Sequence, residues 1–228
     1  MRPSLALRAR RVACLVGVLT LGHGEIPALA QDAPLAPFTP HVGDELRYAL
    51  TSGDSFVMRV VKTRSEEGRT LALVEESHSQ EGTEARERMT WVRTEQGMAL
   101  VLGAPDDASM EQSPLICYVA KASPKDTWTA QSGRYRDTDG AVSEFRIFAR
   151  LEAIETVTVP AGTFAGCHRI AYQAAIRGEG ASERTRMQLW FKPDLGIVKT
   201  RSVQGETVTE TALTGYRTAS FGQGGARP

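Results

Sequence analysis

The chain has 228 residues, with 27 basic and 27 acidic side chains, 41% hydrophobic residues and 7% aromatic ones. A chain of this length and apolar content can bury one core, or two small ones, and is too apolar and too neutral to be wholly disordered. A formal charge of zero gives no clustered positive footprint for a phosphate backbone, so nucleic acid is excluded as a partner class.

The first thirty residues read as an address. Arg2, Arg8, Arg10 and Arg11 make a basic start, Val12 to Leu21 is largely apolar, and Ala28-Leu29-Ala30 is a small-x-small cleavage site. The apolar run is too short to span a bilayer as a helix. Residues 1–30 are therefore predicted to be a signal peptide, cut after Ala30. Cleavage removes four Arg and Glu25, leaving 23 basic and 26 acidic side chains. Cys14 sits at the start of the apolar run, where a lipid-bearing cysteine should follow it, so no lipid anchor is expected. No later apolar segment is long enough to cross a membrane as a helix. The expected location is the periplasm or the medium of a bacterium.

Residues 31–41 carry Pro34, Pro37 and Pro40 and are predicted to be an extended linker, because proline fixes φ and lacks a donor. From residue 42 the dominant period is two. Leu46, Tyr48 and Leu50 alternate with polar neighbours, and Phe56, Met58 and Val60 repeat the pattern across Gly53-Asp54. Leu71 and Leu73 follow a Glu67-Gly68 turn. Met89 and Trp91 come next, then Met98, Leu100 and Leu102 after Gln96-Gly97. Glu75 to Arg88 has no apolar stripe and reads as strand, turn at Gly82, strand. Asp106 to Ser113 is predicted to form one helical turn. Phe145, Ile147, Ala149 and Leu151 share one face, as do Met187, Leu189 and Phe191. Gly196 to Val203 and Thr207 to Tyr216 complete the set. Such alternation buries one face and wets the other. The predicted fold class is all-β: a curved antiparallel sheet of about ten to twelve strands, half-barrel or sandwich-like, with few short helices. Residues 42–218 form a single β-rich domain, and residues 219–228 a flexible tail.

One pattern recurs. Pro40 to Tyr48 and Pro124 to Ala130 each place a proline, a turn and an aspartate before an alternating run that opens on a large residue, Leu46 or Trp128. Two such lead-ins suggest two sheet halves of about eighty residues.

The most distinctive segments are Glu155-Thr-Val-Thr-Val-Pro-Ala-Gly-Thr-Phe164 and Leu189-Trp-Phe-Lys-Pro-Asp-Leu-Gly-Ile-Val-Lys199. Each reads as strand, tight turn, strand, with Pro160, Gly162 and Phe164 in the first, and Trp190, Pro193 and Gly196 in the second, setting backbone angles and anchoring the core. Together they resemble the TapB-like group of exported bacterial β-rich proteins, often lipoproteins, whose members also repeat a proline-led opening. Here Leu46 stands where that opening usually has tryptophan. The resemblance implies a curved antiparallel sheet in the cell envelope and carries no catalytic residues.

The residues for most chemistries are lacking. His41, His78 and His168 lie apart with no metal-ligand spacing, and His168 is expected at the surface or on an edge. No nucleophile elbow or phosphate-binding loop occurs. Asp106-Asp107, Asp137 to Gly140 and Gly178 to Gly180 read as turns, and Arg134, Arg136, Arg146 and Arg150 as a solvated face. No cofactor, metal ligand or catalytic residue is assigned. After cleavage Cys117 and Cys167 remain; they form either a disulfide closing a loop of about fifty residues, worth roughly 4 kcal/mol, or two buried free thiols. The reading is a non-enzymatic envelope protein that offers a sheet face or edge to a partner protein or an apolar ligand. The alternative is an exported hydrolase of cell-wall or extracellular polymer using an Asp/Glu pair.

Overall fold

The computed structural model describes residues 39–80, 83–102, 110–136, 142–177 and 186–218. The predicted signal peptide and the part of the predicted linker before residue 39, the predicted turns at Asp106-Asp107, Asp137 to Gly140 and Gly178 to Gly180, and the predicted tail after residue 218 lie outside them. The strands are β1 (Glu45–Leu50), β2 (Ser55–Glu66), β3 (Arg69–Gln80), β4 (Thr83–Thr94), β5 (Gly97–Leu102), β6 (Met110–Gln112), β7 (Leu115–Val119), β8 (Thr127–Arg136), β9 (Val142–Val159), β10 (Gly162–Arg177), β11 (Arg186–Lys192), β12 (Gly196–Gln204) and β13 (Thr207–Arg217). All are antiparallel neighbours in one sheet, ordered β6-β8-β9-β10-β11-β12-β13-β1-β2-β3-β4-β5-β7. Two meanders, β1 to β5 and β8 to β13, are thus joined by the β13–β1 ladder, and the sheet curls into a nearly closed barrel.

The barrel is filled by its own side chains. Trp91, Tyr48, Tyr172, Phe191, Leu151, Ile170, Val74 and Leu213 are all essentially inaccessible to water. Tyr48 donates its hydroxyl to the Ile197 carbonyl at 2.8 Å, and Tyr172 to the Cys117 carbonyl at 2.7 Å, so each buried phenol has an acceptor. Tyr118 stacks on Phe191 with centroids 4.7 Å apart.

On β3 the buried face is Ala72 and Val74, opposite Trp91 and Met89 of β4. Two sequence expectations are corrected. The helical turn before Ser113 is absent over its described part: Met110–Gln112 pairs with β8, and the Ser113 amide donates to the Ser132 carbonyl at 2.9 Å. Where few short helices were expected, there is no helix among the described residues.

The two lead-ins are true structural repeats, aligned by aspartate instead of proline. Before β1, the His41 amide donates to Asp44 Oδ2 at 2.7 Å and the Asp44 amide to the His41 carbonyl at 3.0 Å. Before β8, Ser123 and Asp126 make the same pair at 2.8 and 2.9 Å. Gly43 donates to the Val60 carbonyl and Val60 back to the Asp44 carbonyl; Lys125 and Asp126 do likewise with Leu151. Gly43 has φ +92° and Lys125 φ +86°. The ladders also share a flaw. A bulge inserts Val61 after Val60 of β2, and another inserts Glu152 after Leu151 of β9. His41, Gly43, Asp44, Leu46 and Val60 therefore correspond to Ser123, Lys125, Asp126, Trp128 and Leu151.

The β13–β1 junction is clasped by charge. Glu45 is almost fully buried and takes Arg47 at 2.7 Å and Arg59 at 2.6 Å, with Arg217 of β13 at 3.6 Å. Burial alone would raise its pKa; the hydrogen bonds from Arg59 and Arg47 outweigh burial and hold it below the usual carboxylate value. A depressed folded-state pKa gives stability that is present above the unfolded value of 4.5 and lost as pH falls through the folded one. The stability gap between the native protein and Glu45→Gln should therefore shrink in urea titrations as pH is lowered from 6 to 3. A gap that stays constant over that range would show that the carboxylate charge does not hold the junction.

Candidate functional site

In the repeat, β7 and β8 occupy the places of β13 and β1. The β13–β1 ladder runs from Leu50–Thr211 to Glu45–Arg217. Its counterpart starts in the same way, with β6 paired to β8 through Ser113 and Ser132. It then opens. Beyond Pro114, which has no amide hydrogen to offer, β7 turns to β5, and among the described residues no ladder bond joins β7 to β8. Tryptophan takes the place of a ladder: Trp128 donates its indole Nε1–H to the Ile116 carbonyl at 3.3 Å. The counterpart residue Leu46 is 2% exposed inside the barrel. An open depression of about 480 Å³ lies at the wide end of this seam, lined by Val119, Lys121, Ala122, Lys125, Asp126, Thr127 and Trp128. Lys121 and Lys125 are exposed, while Asp126 is engaged by the Ser123 amide.

The motif segments meet one another. The Trp190 indole donates to Glu155 Oε1 at 2.7 Å, and Lys199 lies over its ring at 5.3 Å. Arg169 bridges Glu152 and Glu155 at 3.1 Å each. At the β9–β10 turn Gly162 has φ +135°, where a side chain would be strained. The Ala161 amide donates to the Leu213 carbonyl at 3.0 Å, and the buried Phe164 ring meets Tyr216 edge-on. Pro193 is buried in the β11–β12 turn, and Gly196 there has φ +111°. These contacts tie the hairpin tip to β13. Arg134, one of the arginines expected on a solvated face, pairs with Glu144 at 3.0 Å, both well exposed.

Of the two alternatives for the cysteines, the structure has the thiols. Cys117 and Cys167 are free and buried, with Sγ directed to the Leu115 and Phe164 carbonyls at 3.5 and 3.3 Å. Burial pushes each thiol up to about 12. Since the thiolate is the reactive form, the folded protein should resist iodoacetamide at pH 8, and both cysteines should label in urea without reductant. Failure to label in urea would reveal a disulfide.

The histidines do not converge. His41 belongs to the first lead-in turn. His78 Nε2 lies 2.6 Å from Glu76 Oε1, and this bond raises its pKa. Its ring packs at 5.4 Å on Phe56, which stacks on Tyr48. His168 is neither at an edge nor freely solvated. It pairs with Ile154 and Phe191 in the middle of the sheet, edge-on to Tyr118, and desolvation, with Lys192 nearby, lowers it to about 4. Among the described residues no three His, Cys, Asp or Glu side chains are grouped to hold a metal ion. Glu76 faces Glu87 across β3 and β4, but Glu76 is held by His78.

Sequence reasoning missed the seam. Its one signal was Pro114 at the head of the apolar run Leu115 to Val119, which marks a point where pairing changes.

Filled interior, repeated lead-in and one open junction define a class: an internally duplicated antiparallel barrel with a single unzipped seam. Within that class, residues 132–212, the second half of the duplication, match a family model described as DUF3108-like. The fold is shared with an inferred exported protein of YmcC-like fold from Bacteroides fragilis, at 16% identity and a TM-score of 0.59, over 80% of this chain and 99% of that one. It is also shared with an inferred lipoprotein from Parabacteroides distasonis, at 17% identity and a TM-score of 0.56, over 82% and 100%. No curated protein sequence gives a significant match.

Proposed function

We propose that the protein is an exported, non-catalytic component of the bacterial envelope that binds a partner protein on the outside and edges of its barrel. The observation that carries this reading is the filled interior. With Trp91, Tyr48, Tyr172 and Phe191 packed inside, an acyl chain would have to displace the core, which makes a partner protein the better occupant than an apolar ligand. The basic, apolar and small-x-small order of residues 1–30 supports export, as do the descriptions of the two structural relatives. The hairpin motifs support kinship with the TapB-like group. The hydrolase alternative has less support. Glu45, the carboxylate with the clearest perturbation, is held down by arginines, the opposite of what a general acid needs.

The test is expression of the full chain in a bacterium, followed by fractionation and native mass spectrometry. The expected product begins at Gln31, leaves the cytoplasm and has the bare polypeptide mass. A chain retained in the cytoplasm with residues 1–30 intact would overturn export, and a stoichiometric lipid adduct would overturn the preference for a protein partner.

A further inference from the structure

We propose that the outer face of β9, β10 and β11 around Phe148 is the contact surface for an acidic partner protein, which covers the exposed ring and sets its carboxylates against Arg146, Arg150 and Arg186. The proposal rests on the partner-binding reading above; it assigns that contact to one face and names the partner's chemistry.

Register brings these residues together. Phe148 lies opposite Gln173 of β10, and Gln173 opposite Arg186 of β11. Arg146 and Arg150 stand two residues to either side of Phe148, so all three point outward, away from the buried Ile147 and Ala149. Strand geometry puts Arg186 about 10 Å from the β9 row, and the two β9 arginines about 13 Å apart. Between the rows, β10 presents the small side chains of Ala171 and Ala175. Ala171 is 4% exposed yet no part of the barrel core, and its neighbours in register are the long side chains of Arg150 and Gln188. The face is thus a shallow trough one strand wide, with an arginine wall on each side.

Charge complementarity selects the occupant. Most other arginines are matched by a carboxylate: Arg59 by Glu45, Arg88 by Glu75, Arg169 by Glu152 and Glu155. Among the described residues Arg146, Arg150 and Arg186 have no ion-pair partner. The acids that border the face are already taken, Glu144 by Arg134, Glu152 by Arg169 and Gln188, and Glu210 by Lys199. After the predicted cleavage the chain carries more acids than bases, so uncompensated positive charge gathered at one place stands against the average.

The side-chain types narrow the choice further. A guanidinium presents a fork that grips a carboxylate through two bonds. Arginine beside an exposed aromatic ring, with no lysine among them, is the composition of the centre of a protein–protein contact. Phe148 is 44% exposed, and the Arg146 guanidinium lies 6.0 Å over its ring, which keeps cation and apolar contact side by side. Three cations and one ring are too few to hold the barrel to a lipid surface. A neutral partner would strip the arginines of water and give them no counter-charge.

The experiment is photocrosslinking in the protein's own bacterium, from benzoylphenylalanine at Thr129 beside Phe148 or at Val203 beside Arg186. Val42 and Val61, exposed in the first half of the duplication, are the comparison sites. The expected result is a discrete protein adduct from Thr129 and Val203, joined through a segment rich in Asp and Glu. That partner, purified, should bind the mature protein and lose at least tenfold in affinity on R146E/R150E and several-fold on Phe148→Ala. Both variants should keep the parent melting temperature, because all three side chains are exposed. Adducts from Val42 or Val61 that equal those from the face, or occur without them, would overturn the face and leave the partner-binding reading standing. Absence of a protein adduct at all four sites would overturn both. At the face, an adduct to lipid, to glycan, to a second copy of this chain or to a segment without carboxylates, or binding indifferent to R146E/R150E, would overturn the acidic partner.

Discussion

Gly97→Ala is expected to lower the melting temperature by about 10 °C, corresponding to a loss of roughly 3–4 kcal/mol for a chain of this size. Gly97 opens β5 with φ +150°, and a Cβ built there would sit 1.9 Å from the Tyr118 carbonyl oxygen and 2.9 Å from its carbon. Both are backbone atoms, so no side chain can swing aside. Relief requires β7 to move away from β5, and β7 carries Tyr118, which stacks on Phe191 and meets His168 edge-on. The damage therefore reaches from the end of one meander into the core of the other. Gly53→Ala is the control: its φ is +93° but nothing lies within 4 Å of its Cβ position. It should cost only the strain of a left-handed residue, about 1–2 kcal/mol. Thermal melts followed by circular dichroism distinguish the two. Equal losses would mean that β5 and β7 do not approach as closely as described.

Trp91→Ala should cost about 4 kcal/mol, within the range for deleting a buried aromatic side chain. Trp91 is 1% exposed and lies across from Ala72 and Leu100, two small or medium residues that cannot expand to fill its space. The cavity left behind would be apolar, and added indole should recover part of the loss, as apolar cavities accept apolar guests. Urea denaturation with and without indole measures both effects. A loss below about 1 kcal/mol would show that the interior around Trp91 is loosely packed, and the argument against an apolar cargo would lose its footing.

The period-two alternation made the strands legible because a half-wetted sheet writes its two faces directly into the sequence. It could not choose a face at β3, where all four of Leu71 to Val74 are apolar and the buried pair, Ala72 and Val74, lies opposite Trp91 and Met89. It also missed that Phe145 to Leu151 and Val157 to Val159 belong to one strand, because residues 152–156 between them bury no side chain and so do not carry the pattern across. The lead-in repeat was visible through its aspartates. Matching proline to proline concealed its true offset, since Pro124 takes the place of Val42, and no sequence pattern announces that Lys125 adopts a glycine's backbone angle. The seam was least legible. Whether two strands pair or part depends on long-range closure of the barrel, and Pro114 is a single local clue to it.

Because β13 lies against β1, the two ends of the folded region come together, with Arg217 opposite Glu45, while the chain between β7 and β8 crosses the equivalent place as the short stretch 120–126. A circular permutant that joins the old ends and begins near Ser123 would keep every strand pairing of the parent. It would exchange which of the two sister junctions is covalently bridged, and so show whether chain continuity or side-chain chemistry decides which one stays unzipped.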